Sequence, residues 1–175
     1  MNKKIEVILD NRVPVFAAAT GEPPSSFTER GHSIGTKFIG MCGAVRHAAR
    51  HVAADVDIIT AQGTEAGGHT GNISTFVLVP QIVDAVSPRP VLAAGGIGSG
   101  RHVAASLALG AQGVWVGTAF LVAEENNIPE AHQLRPDFIG NRLFQYSPLA
   151  SRHSRVFINQ QQQTRRLGTD RLMYC

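Results

Sequence analysis

Val56-Asp57-Ile58-Ile59-Thr60-Ala61-Gln62-Gly63-Thr64-Glu65-Ala66-Gly67-Gly68-His69-Thr70-Gly71 is the stretch from which the rest of the chain can be read. Its opening, Val56 to Thr60, is an apolar, β-branched run of the kind that forms a buried strand. Four glycines then fall between Ala61 and Gly71, so the backbone can turn sharply and approach a ligand with no Cβ in the way. One imidazole, His69, stands at the far edge of that turn. A strand ending in a glycine turn that carries one titratable side chain is how α/β enzymes place chemistry at the carboxyl ends of their strands. The expectation is an enzyme.

The same unit recurs on both sides. Short apolar runs at Val13-Val15-Phe16, Lys37-Phe38-Ile39, Asp57-Ile58-Ile59, Pro90-Val91-Leu92 and Gly113-Val114-Trp115-Val116 predict five parallel strands. Between them, apolar stripes at helical spacing predict helices over Ala44 to Ala54, Phe76 to Val86 and Ser99 to Leu109, the last closed by Gly110. Each strand runs out into small or glycine residues: Ala17 to Gly21, Gly40 to Gly43, Gln62-Gly63, Ala93 to Gly96, and Gly117-Thr118. Sixteen of the eighteen glycines precede residue 126, which ties them to these turns rather than to a linker. Alternating strands and helices with short connections predict a parallel sheet or barrel whose turns open on one face, the active-site face. After Glu125 the rhythm stops. Residues 126–175 read as an atypical basic tail rich in Arg and Gln.

Composition narrows the class. With 43% hydrophobic and 17% charged residues in 175, the chain has enough apolar matter for one globular domain and too much for a disordered one. No apolar h-region follows Met1 and no apolar run reaches the roughly 18 residues of a membrane span. The net charge of +3 is uneven. Up to Leu134 the chain holds nine Lys/Arg against eleven Asp/Glu, and from Arg135 onward seven Arg against two Asp. That basic tail lacks the aromatic, zinc or helix-turn-helix patterns of nucleic-acid binders, so a solvated terminus is expected and no nucleic acid. Cys42 and Cys175 give no disulfide or zinc spacing. A cytoplasmic protein with reduced thiols is expected.

Three constellations carry chemistry. In the first, His69 can take a proton from a carbon acid or steady a developing anion, because imidazole titrates near neutrality. Glu65, four residues earlier, either orients that ring or faces solvent. The second is Ala93-Ala94-Gly95-Gly96-Ile97-Gly98-Ser99-Gly100-Arg101, a glycine-rich turn from strand to helix. Its backbone N–H groups would point outward at the positive end of the helix, where a phosphate is favoured, with Ser99 as N-cap. The third is Val116-Gly117-Thr118-Ala119-Phe120 after the next strand; paired turns after neighbouring strands suit a phosphate-bearing ligand. His47 and His51 stand at i and i+4 on a predicted helix, but no third ligand is in view. A solvated helix face is expected there, and no metal. Cys42 reads as a small packing residue, and His32, His102, His132 and His153 receive no role.

Taken together, Ala61 to Gly71, Pro90 to Ile97 and Gly110 to Phe120 resemble the nitronate monooxygenase (2-nitropropane dioxygenase) family of flavin-dependent TIM barrels, in order and in spacing, over about residues 5 to 125. The resemblance implies an α/β fold, a partial TIM (β/α)8 barrel of about five βα units matching the family's C-terminal part, with residues 1–125 as its FMN-binding portion. It implies FMN as cofactor, contacted by Gln62, Gly67 and Gly68, with Gly95, Gly96, Trp115, Val116, Gly117 and Thr118 toward its phosphate. It implies His69 as the catalytic histidine, and oxidation of an alkyl nitronate or nitroalkane by O2 to a carbonyl compound and nitrite. The family's barrel has eight units, so a truncated member is expected, with self-association through its two open edges. Two alternatives stand beside this: a flavin-dependent enoyl-acyl-carrier-protein reductase, whose glycine–histidine motif is similar, and an FMN-binding half-barrel without turnover.

Overall fold

The computed structural model describes residues 3–117 and Phe120. Ten elements follow one another: α1 (Lys3–Asp10), β1 (Val15–Ala18), α2 (Ser25–Ser33), β2 (Lys37–Cys42), α3 (Val45–Ala53), β3 (Ile58–Gln62), α4 (Thr75–Val86), β4 (Val91–Ala94), α5 (Gly100–Ala108) and β5 (Gly113–Trp115). All four strand pairs are parallel, and the sheet order is β1-β2-β3-β4-β5. A doubly wound sheet reverses its order at a switch point. This one does not: each unit is laid beside the last, as in a barrel, and the architecture is a partial (β/α)8 barrel of five strands.

Register decides what each face of the sheet does. Phe16 pairs with Phe38, Ile59 with Val91, and Ala93 with both Ala61 and Val114. These residues point to one side, where they pack with Phe27 of α2, Ala48 of α3, and Leu78, Val79 and Ile82 of α4. Phe38, Ile59, Leu78 and Ile82 are fully buried, each stabilising the layer by roughly 1.5–3 kcal/mol. The alternate residues Ile39, Met41, Thr60, Gln62, Leu92, Ala94 and Trp115 lie on the opposite, interior face. The core of the described residues is therefore the layer between helices and sheet.

The three predicted helices are present within one residue of their expected ends, whereas α1 and α2 were not anticipated. Helix α2, SSFTERGHS, offers few apolar positions and holds its place through rings. Phe16, Phe27 and Phe38 meet at 5.0–5.8 Å between centroids, a spacing typical of edge-on aromatic pairs, and Gly31 leaves room for the Phe38 ring. Arg30 grips Glu6 of α1 through two bonds of 2.7 and 2.9 Å.

At the amino ends of β2 and β3, away from the glycine turns, Asp57 accepts from Phe38 N, Lys37 Nζ and His32 Nε2, each at 2.8 Å. Burial pushes its carboxyl up, but these donors outweigh it and the pKa falls below the ordinary value. Such a cluster at the base of a barrel reads as stability rather than chemistry.

The expectation for His51 fails. It is 1% exposed, lodged in the space beside Gly40 with Nε2 3.2 Å from the Met41 carbonyl and Nδ1 without a partner among the described residues. The absent Cβ at Gly40 makes a slot for the ring, so this face of α3 is inner and not solvated. Burial lowers the His51 pKa. Among the described residues no helix is long and apolar enough to cross a membrane. Thr118 and the tail of residues 126–175 lie outside the described residues.

Candidate active site

Strand β3 ends at Gln62 and the chain does not enter α4 until Thr75. Gly63 N donates to Ala94 O at 2.9 Å, extending the β3–β4 ladder by one rung, and Thr64 N donates to Ile73 O at 3.0 Å. That second bond closes the base of a loop whose ends lie together, in the manner of an Ω-loop. Inside it, Gln62 Nε2 reaches the Gly67 carbonyl at 3.3 Å, and Gly71 packs against the backbone of Gly43 beyond β2, where no side chain would fit. The tip is free: Gly68 and His69 are exposed. The loop is thus pinned at its base and flank and carries its imidazole outward.

Glu65 does neither of the things expected from its spacing to His69. Its Oε2 accepts from the backbone N–H of Thr75 and from the Thr75 hydroxyl, both at 2.8 Å. Thr75 is the first residue of α4, and Ser74 before it makes no side-chain cap. The carboxylate therefore caps a helix that starts ten residues downstream. The Thr75 hydroxyl also lies 3.2 Å from Ala94 O and 3.1 Å from Gly95 O at the end of β4.

Beyond β4, Gly95 (φ +107°) and Gly96 (φ +71°) turn the backbone through the left-handed region that L side chains avoid. A Cβ at Gly95 would lie 2.7 Å from Thr75 Oγ1, and one at Gly96 would lie 3.3 Å from the Cβ of Glu65. The two glycine turns are therefore in contact. Gly98 N donates to His102 Nδ1 at 3.1 Å; the N–H groups of Gly96 and Ile97 make no hydrogen bond among the described residues. Ser99 occupies the N-cap position of α5, but its hydroxyl faces His102 Nδ1 at 3.3 Å and does not cap.

After β5, Val116 is half-buried and Gly117 exposed, with no atom of the described residues within 4 Å of where its Cβ would stand. Trp115 pairs with Ala94, and Ala94 with Gln62, so these three share one row at the carboxyl edge of the interior face. The structure brings Gln62, Gly67, Gly95, Gly96 and Trp115 to this edge and holds Gly68 and His69 on the loop tip beside it. Cys42 is buried, with Sγ 3.6 Å from Thr60 O, and burial pushes its thiol up to about 12. It packs. Thr75 is the residue that sequence reasoning missed; Ser74-Thr75 ahead of an apolar helical run was the available signal.

The nitronate monooxygenase family model matches residues 1–164. The Mycobacterium tuberculosis protein Rv1533, described as a monooxygenase, is 53% identical over 125 residues, covering 71% of this chain and 33% of that protein. Among solved structures, a nitroalkane oxidase from Streptomyces ansochromogenes aligns with a TM-score of 0.73 at 35% identity, over 76% of this chain and 41% of that one. FabK from Thermotoga maritima aligns with a TM-score of 0.71 at 35% identity, over 75% and 42%. The chain spans about a third of the length of the curated relative.

Proposed function

The chain belongs to the nitronate monooxygenase family, and from that premise we propose that it supplies the FMN site and the proton-handling histidine for oxidation of alkyl nitronates by O2 to carbonyl compounds and nitrite. The observation that carries this reading is the meeting of two glycine turns at one sheet edge, one of them the pinned loop that bears His69.

The residues present suit a flavin mononucleotide. Its phosphate asks for unpaired N–H groups at a helix N-terminus. Gly96 and Ile97 offer two ahead of α5, on a turn whose positive φ at Gly95 and Gly96 favours glycine. Gly95, Gly96, Trp115, Val116 and Gly117 would hold the phosphate end, joined by Thr118 on the resemblance. Gln62, Gly67 and Gly68 would hold the remainder. When bound, FMN supplies the electron acceptor that the side chains here do not provide. The protein's own part is to seat a nitroalkane or its nitronate against that row and to move with His69 the proton by which the two differ. Its exposed ring on a fixed base is free to close onto a ligand.

The test starts from the full chain and its visible absorbance, with FMN added where none is retained. Oxygen uptake and nitrite release that depend on an alkyl nitronate are expected. Flavin-loaded protein that oxidises NAD(P)H with an enoyl thioester and ignores nitronates would transfer the assignment to the reductase. Bound flavin with neither activity would leave an FMN-binding half-barrel.

A further inference from the structure

We propose that Glu65 is a positioning residue: its carboxylate clamps the His69 loop to the first turn of α4, and the clamped pair packs against the β4 turn. The role in catalysis rests on the reading of His69 given above; the clamp itself does not.

Several independent observations converge on this carboxylate. It is the acceptor for the N–H and the hydroxyl of Thr75, and bonds to an ionised acceptor are about twice as strong as neutral ones. Helix α4 has no acidic residue in its own first turn and no cap from Ser74. Pro80, inside α4, brings no N–H to the Phe76 carbonyl. The first turn of α4 is therefore short of internal bonds and relies on Glu65. The same side chain lies under Gly96, and the Thr75 hydroxyl, whose one hydrogen goes to the carboxylate, rests against the β4 turn with its oxygen 3.2 and 3.1 Å from the Ala94 and Gly95 carbonyl oxygens. The loop from 65 to 75 has its ends joined by this clamp and by the Thr64–Ile73 bond, with His69 between them. Releasing the clamp frees the segment that aims the imidazole, and misplacement of a reacting group by about 1 Å costs on the order of 100-fold in rate.

The experiment compares Glu65→Ala, Glu65→Gln and Thr75→Val in the full chain, by amide hydrogen exchange and by steady-state oxidation of the neutral nitroalkane. In Glu65→Ala, exchange over residues 64–75 should quicken by about tenfold or more while β2 and β3 keep their protection. The kcat should fall by at least tenfold with KM little changed. Glu65→Gln, which keeps an acceptor oxygen for both donors, should restore most of both, and Thr75→Val, which keeps the N–H and loses the hydroxyl, should fall between. A general loss of stability would quicken exchange everywhere and would not be rescued by glutamine; that pattern overturns the proposal. So does unchanged exchange over 64–75 in Glu65→Ala, or unchanged kcat in an active enzyme. If the wild-type chain shows no nitronate oxidation, the functional reading fails while the exchange comparison still decides the clamp.

Discussion

Alanine at Gly95 and alanine at Gly68 share one cost and differ in another. Both glycines have positive φ, +107° and +80°, so in each case an L side chain meets a backbone penalty of about 1–2 kcal/mol. At Gly68 the new Cβ has nothing within 4 Å, and that penalty is the whole effect. At Gly95 it lands 2.7 Å from Thr75 Oγ1, 3.0 Å from Ala66 N and 3.2 Å from Gly63 O. Thr75 cannot turn aside without giving up Glu65, and the other two atoms are backbone. Overpacking of this kind adds roughly 1–3 kcal/mol, so Gly95→Ala should be less stable than Gly68→Ala by about that amount. With a urea slope of about 1–3 kcal/mol/M, the two midpoints should differ by on the order of 1 M. The protein has one tryptophan, Trp115, at the end of β5, so its fluorescence reports unfolding from beside the substitution. Gly95→Ala should also weaken FMN retention, whereas Gly68→Ala should alter it less. Unfolding free energies that agree to within about 0.5 kcal/mol would refute the argument that Thr75 and the β4 turn are jammed together.

Three further outcomes are expected. His69→Ala should lower turnover of the neutral nitroalkane by about 100-fold or more, the usual scale of a proton-transfer residue, while the flavin spectrum persists; unchanged turnover would remove His69 from the mechanism. Acid should destabilise the fold in two windows. The folded pKa of His51 lies below its ordinary 6.5, so the stability present above about pH 6.5 is lost as the pH falls below it; Asp57, lowered from 3.8, adds a loss only below about pH 4. Urea midpoints measured across that range should show the first window shrink in His51→Gln, and a midpoint flat from about pH 7 to 5 would contradict it. Cys42, with its thiol pushed up to about 12, should resist alkylation in the native state and react only once urea unfolds the chain; rapid native labelling mapped to Cys42, as distinct from Cys175, would show that it is not sealed in the layer between helices and sheet.

How much of this was legible in the sequence depended on how local the cause was. Strands were visible because residues such as Ile58-Ile59 and Val91-Leu92 are apolar in succession, which a strand covered on both faces requires. Helix α2 was not, because its seat is a single ring, Phe27, plus the space left by Gly31, and neither produces a period. The glycine turns were visible as composition. The link between them was not: Glu65 and Thr75 are ten residues apart and meet only because β3, loop and α4 fold back on β4. His51 was misread for a related reason. Its i, i+4 partner His47 suggested a polar face, but the deciding residue is Gly40 on another element. Ser99 shows that a capping residue in the right place can spend its hydroxyl on a different neighbour.

The sequential order of the strands has a consequence for synthesis. Val15 pairs with Lys37, Ile39 with Ile58, Ile59 with Val91 and Leu92 with Gly113, so each strand finds its partner only some 19 to 32 positions farther along the chain. Among the described strands no pairing has to wait for a distant segment, and the closure entropy for each step is small and similar. As the polypeptide leaves the ribosome, each emerging strand can dock on the one before it. The edge that receives the newcomer is then itself a growing template, covered unit by unit by the chain's own continuation.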